Sequence, residues 1–255
     1  MNLIPLGING YHPSFGRQTT SFLLTTDDQA IILDAGTGLG RLTEPDIRRH
    51  VERFESLNII LSHYHLDHIV GLSYLPGIWT DRQVTIYAPS VPFVESTPEA
   101  ALNRLLAPPC FQRLQDFPLA VDVIPMTAPK FHIGDIQVQI RAQRHPGGSV
   151  GIRIDDSVVF MTDTIAETGP LSFIAGSRLL IHEAWFIEPV DIELAEKYGH
   201  SELSKVRELA LASDVGRLMP MHFDPKLEQP IRETTLKPAK GLSTIIPIEG
   251  ECYEV

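Results

Sequence analysis

Ser62-His63-Tyr64-His65-Leu66-Asp67-His68 follows directly on the apolar run Leu57-Asn58-Ile59-Ile60-Leu61. The apolar run reads as a core strand, and the segment after it crowds three imidazoles and a carboxylate into six residues. His63 and His65 are two apart, so in extended backbone they point to the same side. Asp67 and His68 face a second point only if the chain turns after His65. Imidazole suits zinc, iron or copper, and a carboxylate is a hard ligand that completes or bridges such a site. The stretch is therefore a candidate for holding two metal ions side by side. Gly71-Leu72 beyond it fits a chain that must turn tightly.

Working outward, apolar segments alternate with polar turns along the chain. Residues 22–26 and 30–34 read as paired strands around Asp27-Asp28-Gln29, and Asp34-Ala35-Gly36-Thr37-Gly38 leaves them through a Gly-rich loop. Ile47, Val51 and Phe54 recur at near-helical spacing with Pro45 in the first turn, which predicts a helix over residues 45–57. Strands are expected at 58–61, 83–88, 121–124, 136–140, 149–154, 158–161, 178–181 and 215–221. Helices are expected at 98–106 and at 201–212. In the second of these Leu203, Val206, Leu209 and Ala210 share a face, and Ser201 is a candidate N-cap. Several strands end in His, Asp or Glu, which marks the functional face of a layered α/β structure.

The 255 residues suit one domain spanning residues 1–255, and an apolar share of 43% supports a large core. A formal charge of −11 argues against a broad basic surface for nucleic acid. No apolar run approaches the roughly 18 residues of a membrane span, and the N-terminus has no signal-peptide pattern. Cys110 and Cys252 lie in no CxxC pair, so free thiols in a cytoplasmic chain are the simplest expectation.

The run from His63 to His68 resembles the HxHxDH signature of the metallo-β-lactamase superfamily. The remaining positions of that pattern match His145 in Arg144-His145-Pro146, Asp163 in Met161-Thr162-Asp163, and His222 in Met221-His222-Phe223. The resemblance implies a four-layer αβ/βα sandwich, an α/β fold. It implies two divalent ions per chain, with zinc the default and manganese or iron as alternatives. His63, His65 and His145 would hold one ion, Asp67, His68 and His222 the other, and Asp163 would bridge them. A hydroxide shared by the ions would be the nucleophile.

Within the superfamily, three segments resemble the ribonuclease Z-like phosphodiesterase branch. His182-Glu183-Ala184 with Gly199-His200-Ser201 looks like its paired HEA(T) and HS(T) motifs. Pro13-Ser14-Phe15-Gly16-Arg17-Gln18 resembles its substrate loop, with Gln18 where Asn is usual, and Arg17 is expected to meet a phosphate or to pack against Asp34. Ala107-Pro108-Pro109-Cys110-Phe111 resembles a Pro-Pro-aromatic segment. The resemblance implies that Asp67 orients the nucleophile, that His200 protonates the leaving oxygen, and that Glu183 orients His200. Only 17 residues separate His145 from Asp163, where tRNA-processing members carry a long gripping arm. A small phosphodiester or nucleotide-like substrate is therefore expected, with structured tRNA disfavoured. The alternative is a carboxyl ester, lactone or thioester hydrolase on the same metal platform, and a non-catalytic metal-stabilised module is a third class. A homodimer is possible, with Pro76-Gly77-Ile78-Trp79 the candidate contact.

Overall fold

The computed structural model describes residues 1–80, 82–169, 171–227 and 241–255. Its strands are β1 (Asn2–Gly7), β2 (Ser21–Thr25), β3 (Ala30–Leu33), β4 (Ser56–Ile60), β5 (Gln83–Pro89), β6 (Val121–Met126), β7 (Lys130–Ile133), β8 (Ile136–Gln143), β9 (Ser149–Ile154), β10 (Val158–Met161), β11 (Leu179–Glu183), β12 (Arg217–Met221), β13 (Ser243–Thr244) and β14 (Tyr253–Glu254). The helices are α1 (Pro45–Arg48), α2 (Leu66–Ile69), α3 (Leu75–Ile78), α4 (Pro98–Leu105), α5 (Ile192–Tyr198) and α6 (Leu203–Ala212).

The strands form two sheets, ordered β14-β1-β2-β3-β4-β5-β6 and β13-β12-β11-β10-β9-β8-β7. In each sheet antiparallel strands give way to parallel ones, at β3 and at β10. Alternation along the strands explains the layering. Phe22, Leu24, Ile31 and Leu33 join Phe160, Leu179 and Ile181 in the core between the sheets. Their neighbours Leu23 and Ile32 face the other way, into a second core with Ile47 and Leu102 of α1 and α4 and with Leu42 and Leu72 of the 3₁₀ segments Thr37–Thr43 and Val70–Tyr74. Val159, Met161 and Leu180 likewise turn outward to Val206, Leu209 and Ala210 of α6. Strands buried on both faces read as continuous apolar runs, as these do. The result is the expected αβ/βα sandwich.

Several local expectations need correction. The helix expected over residues 45–57 is α-helical only over Pro45–Arg48. Beyond it the bonds His50 N–H to Ile47 O, Val51 N–H to Arg48 O and Phe54 N–H to Val51 O tighten the chain into turns. Ile47, Val51 and Phe54 are still buried, so the periodicity marked a buried face but not a continuous helix. Strand β4 begins at Ser56 and takes Leu57, which pairs with Val84. Ser201 is not the N-cap of α6, since Glu202 holds that position and Ser201 Oγ donates to Thr164 O at 2.6 Å. Trp79 is wholly buried beneath the guanidinium groups of Arg48 and Arg82, so it offers no indole to a second copy. Cys110 and Cys252 are both exposed free thiols. No helix among the described residues is long and apolar enough to cross a membrane.

Candidate metal centre

The functional side chains collect at the carboxyl ends of the parallel strands of both sheets. Asp34 follows β3, Ser62 and His63 follow β4, Asp163 follows β10, Glu183 ends β11 and His222 follows β12. Asp34, Asp163 and His222 take φ of 58°, 46° and 53°, each in the left-handed region. Leaving a strand this way turns the side chain toward the space between the sheets, and the strain is of a kind that clusters at functional sites. The His-rich segment turns as well: α2 carries Asp67 and His68 away from the line of His63 and His65. The loop after β3 fixes that turn. Ala35 N–H donates to His68 O at 2.7 Å and Gly71 N–H to Ala35 O at 2.8 Å. The approach is so close that a Cβ on Gly71 would lie 2.3 Å from Gly36 O.

All seven expected ligands meet. One group comprises His63, His65, His145 and Asp163 and another Asp67, His68 and His222, the donor atoms within each lying within 4.8 Å of one another. Asp163 faces both groups. Its Oδ1 is 3.2 Å from His68 Nε2 and 3.1 Å from His222 Nε2. Its Oδ2 is 3.6 Å from His63 Nε2 and 3.4 Å from His145 Nε2. His145 Nε2 lies 3.1 Å from His65 Nδ1, and His222 Nε2 lies 3.3 Å from Asp67 Oδ2. Donors around one tetrahedral zinc stand about 3.3 Å apart, given metal–nitrogen bonds of 2.0–2.1 Å.

The surrounding hydrogen bonds decide which ring nitrogens carry lone pairs. Gly199 O can only accept, so His145 Nδ1 donates to it at 3.0 Å and Nε2 is left basic. Ser62 Oγ spends its proton on Asp34 Oδ2 at 2.7 Å, so it accepts from His63 Nδ1 at 2.9 Å. The same Asp34 oxygen accepts from His68 Nδ1 at 2.8 Å. His63 Nε2 is buried, basic and without a hydrogen-bond partner. A buried unpaired nitrogen is costly, and a cation at this point removes the cost.

Electrostatics agree. Burial pushes the pKa values of His63, His65 and His145 down, keeping these imidazoles neutral as ligands must be. At His68 burial acts in the same direction, but Asp67, Asp163 and Asp34 outweigh it and drive the pKa well up. Burial would raise the carboxyls of Asp67 and Asp163; histidines outweigh it and hold both well below the usual carboxylate range. The pocket thus calls for positive charge. The donor set, its spacing and its charge suit divalent metal binding.

Beside the cluster, Glu183 is wholly buried and accepts from Thr164 N–H, Ser201 N–H and Trp185 N–H at 2.8, 3.1 and 3.2 Å. Its Oε1 lies 3.0 Å from His200 Nδ1. Burial lowers the His200 pKa, but Glu183 overrides it and raises the value to about 9. The Trp185 ring stacks on His200 at 4.8 Å and 11°. A ring nitrogen of His200 comes within 4.8 Å of donors on Asp163 and His222.

Arg17 does not pair with Asp34, which Ser62 and His68 occupy; its Nη2 donates to Leu227 O at 2.5 Å. Asp34 and Ser62 were missed as functional residues, although the former follows an apolar strand before a glycine and the latter opens the His-rich run. Tyr11 was missed too. Its N–H donates to Asp67 Oδ2 at 2.7 Å, and no feature of the sequence announces it.

Residues 15–222 match the family model of the metallo-beta-lactamase superfamily. The chain belongs to this superfamily. Among curated relatives, ribonuclease Z of Clostridium tetani is 24% identical, with 88% of this chain and 89% of the relative covered. Ribonuclease Z of a Bradyrhizobium species is 26% identical, with 87% and 89% covered. Among solved structures, the metallo-beta-lactamase fold protein YhfI from Bacillus subtilis superposes with a TM-score of 0.75 at 20% identity, covering 99% of this chain and 98% of that one. Human tRNase Z, short form, gives a TM-score of 0.70 at 16% identity, covering 100% and 99%. These likenesses between structures establish the shared superfamily fold.

Proposed function

We propose that this superfamily member is a metal-dependent hydrolase of phosphodiester bonds that works with two divalent ions. His63, His65 and His145 would hold one ion, Asp67, His68 and His222 the other, and Asp163 would give one oxygen to each. Zinc is the default for a His/Asp donor set. When bound, such a pair acidifies water and neutralises charge growing on the phosphoryl oxygens.

The chain's own residues supply the rest. Asp67, steadied by Tyr11 N–H, orients the attacking water or takes its proton. His200 protonates the departing oxygen, and Glu183 keeps its ring turned and charged for that task. The Glu183–His200 pair beside the cluster is the observation that carries the phosphodiester reading. A leaving alkoxide needs a proton from this pair, whereas the thiolate expelled from a thioester departs without one. The likeness to proteins named ribonuclease Z adds support.

A small or nucleotide-like substrate suits the chain better than structured tRNA. Strands β9 and β10 are joined by the tight turn Asp155–Ser157, with no room for an arm between them. The alignment with the Clostridium tetani relative runs over 292 positions against 255 residues here, so parts of that protein have no counterpart.

Metal analysis with a substrate panel tests the reading. We expect two metals per chain, and hydrolysis of phosphodiesters ahead of lactones and thioesters. His200→Ala should lower turnover about 10²–10⁴-fold for alkoxide leaving groups, and far less for p-nitrophenolate, which departs unprotonated. Lactone turnover without phosphodiester turnover would sink the proposal.

A further inference from the structure

A cavity of about 530 Å³ opens beside His63 and His65, on the flank of the metal centre away from Asp67 and His222. Its walls are Leu66, Ile69, Ala101 and Leu105, from α2 and α4, and the turn Pro146–Gly148 closes one side. Leu66 stands between two expected ligands yet is 60% exposed, leaving apolar surface uncovered next to the reacting centre. At the rim lie Glu95, Ser96 and Arg104. Glu95 and Arg104 are exposed, and neither side chain makes an ion pair or hydrogen bond with any described residue. Opposite charges facing one cavity without engaging each other remain available to a ligand. The guanidinium of Arg104 gives this rim one cationic group for an anionic part of a ligand.

Volume and chemistry together select the ligand. Sites for small organic molecules run to about 300–1,000 Å³ and combine apolar walls with a few placed polar groups. Here the walls suit a flat ring. A carboxylate and a hydroxyl at the edge accept from ring amino and imino hydrogens, as Glu does with cytosine. An arginine beyond them suits a phosphate. A lipid tail would leave Glu95 and Arg104 unused, and a duplex does not fit a cavity of this size.

We propose that this cavity seats the nucleoside of a nucleotidyl phosphodiester whose scissile phosphate lies at His63 and His65, with Leu66, Ala101 and Leu105 flanking the base and Arg104 meeting a further phosphate. The assignment rests on the phosphodiesterase reading and adds a substrate class to it. Ala101 is the small residue of the wall, so Ala101→Phe fills the space the base needs. Arg104 is exposed, so Arg104→Ala removes the charge without disturbing the core.

The test compares kcat/KM of the metal-loaded protein for thymidine 5′-(p-nitrophenyl phosphate) and for methyl p-nitrophenyl phosphate. It also measures binding of adenosine 3′,5′-bisphosphate by calorimetry. The nucleoside ester should be preferred about 10-fold or more, and Ala101→Phe should collapse that ratio toward one. Arg104→Ala should weaken the bisphosphate about 10-fold. A nucleotidyl group can come from a free ester or from the end of a short strand; a single-stranded hexanucleotide separates these sources, and a preference for either upholds the pocket. Turnover of both esters with no preference, or a preference that neither variant moves, overturns the pocket and leaves the phosphodiesterase reading standing. Nucleotide binding that responds to both variants, without turnover of any phosphodiester, upholds the pocket and overturns the phosphodiesterase reading.

Discussion

Asp34 ties the two expected metal positions together through hydrogen bonds alone. One of its oxygens accepts from Ser62 N–H at 2.6 Å; the other receives both Ser62 Oγ and His68 Nδ1. Through Ser62 it also fixes the ring of His63. A single carboxylate thus sets the tautomers of one histidine from each group. Its left-handed φ of 58° is one that Asn also tolerates, so Asp34→Asn keeps the backbone and changes only the acceptor. The amide nitrogen would then confront a donor from Ser62 or His68. Metal affinity should fall about 10–100-fold, the usual cost of removing a partner that orients a ligand. Competition with a chromogenic chelator reads this directly, and an unchanged affinity would mean that the ring positions are held by packing instead.

At the scale of elements, strand β11 shows how alternation separates chemistry from core. Glu183 points to the metal centre, while His182, one residue earlier, lies wholly buried on the opposite face. Its Nδ1 donates to Glu183 O at 2.8 Å, and its Nε2 has no partner. Burial lowers its pKa, so the folded chain refuses a proton that the unfolded chain accepts near pH 6.5. Stability from this residue is full above that pH and declines as the pH falls below it. His182→Leu should flatten the dependence between pH 6.5 and 5, measured as the urea midpoint relative to the parent protein. The link between α5 and α6 is equally constrained. Gly199 ends α5 at φ 69°, and a Cβ there would lie 2.8 Å from His145 Nδ1. Gly199→Ala should therefore displace His145 and reduce metal content more than it reduces stability. These elements also show what the sequence made legible. Strand-end His and Asp residues were visible because apolar runs stop abruptly before them, as at Phe160-Met161 ahead of Asp163. The helix after Pro45 was over-extended because a buried face at spacing 3–4 is shared by an α-helix and by a tighter chain of turns. Strands β7, β13 and β14 are short pieces whose pairing depends on distant partners, and local pattern carries no such information. The contact from Tyr11 to Asp67 escaped for the same reason, since a backbone N–H has no residue type.

Over the whole molecule, the candidate ligands come from both halves of the sandwich. His63, His65, Asp67 and His68 follow β4 of the first sheet, whereas His145, Asp163 and His222 follow β8, β10 and β12 of the second. Each donor group in turn draws on both sets: His145 and Asp163 join His63 and His65, and His222 joins Asp67 and His68. Bound cations would clasp the sheets at one edge as well as serve the chemistry, adding to the apolar core between them. Without cations, the positive charge that offsets the carboxylates of Asp67 and Asp163 comes from histidines, and that compensation depends on pH. Ligands that bind the folded state alone stabilise it by about 4 kcal/mol at a thousand times their dissociation constant. In a domain of this size each kcal/mol moves the melting midpoint by about 2–4 °C. Chelation should therefore lower the midpoint by about 10 °C, with recovery on adding zinc back. His145→Ala should blunt that response because it removes a donor reaching across from the second sheet, whereas Arg104→Ala, which removes no candidate donor, should leave it intact. Equal melting with and without chelator would show that the sandwich stands on its apolar core alone and that the cations serve only the reaction.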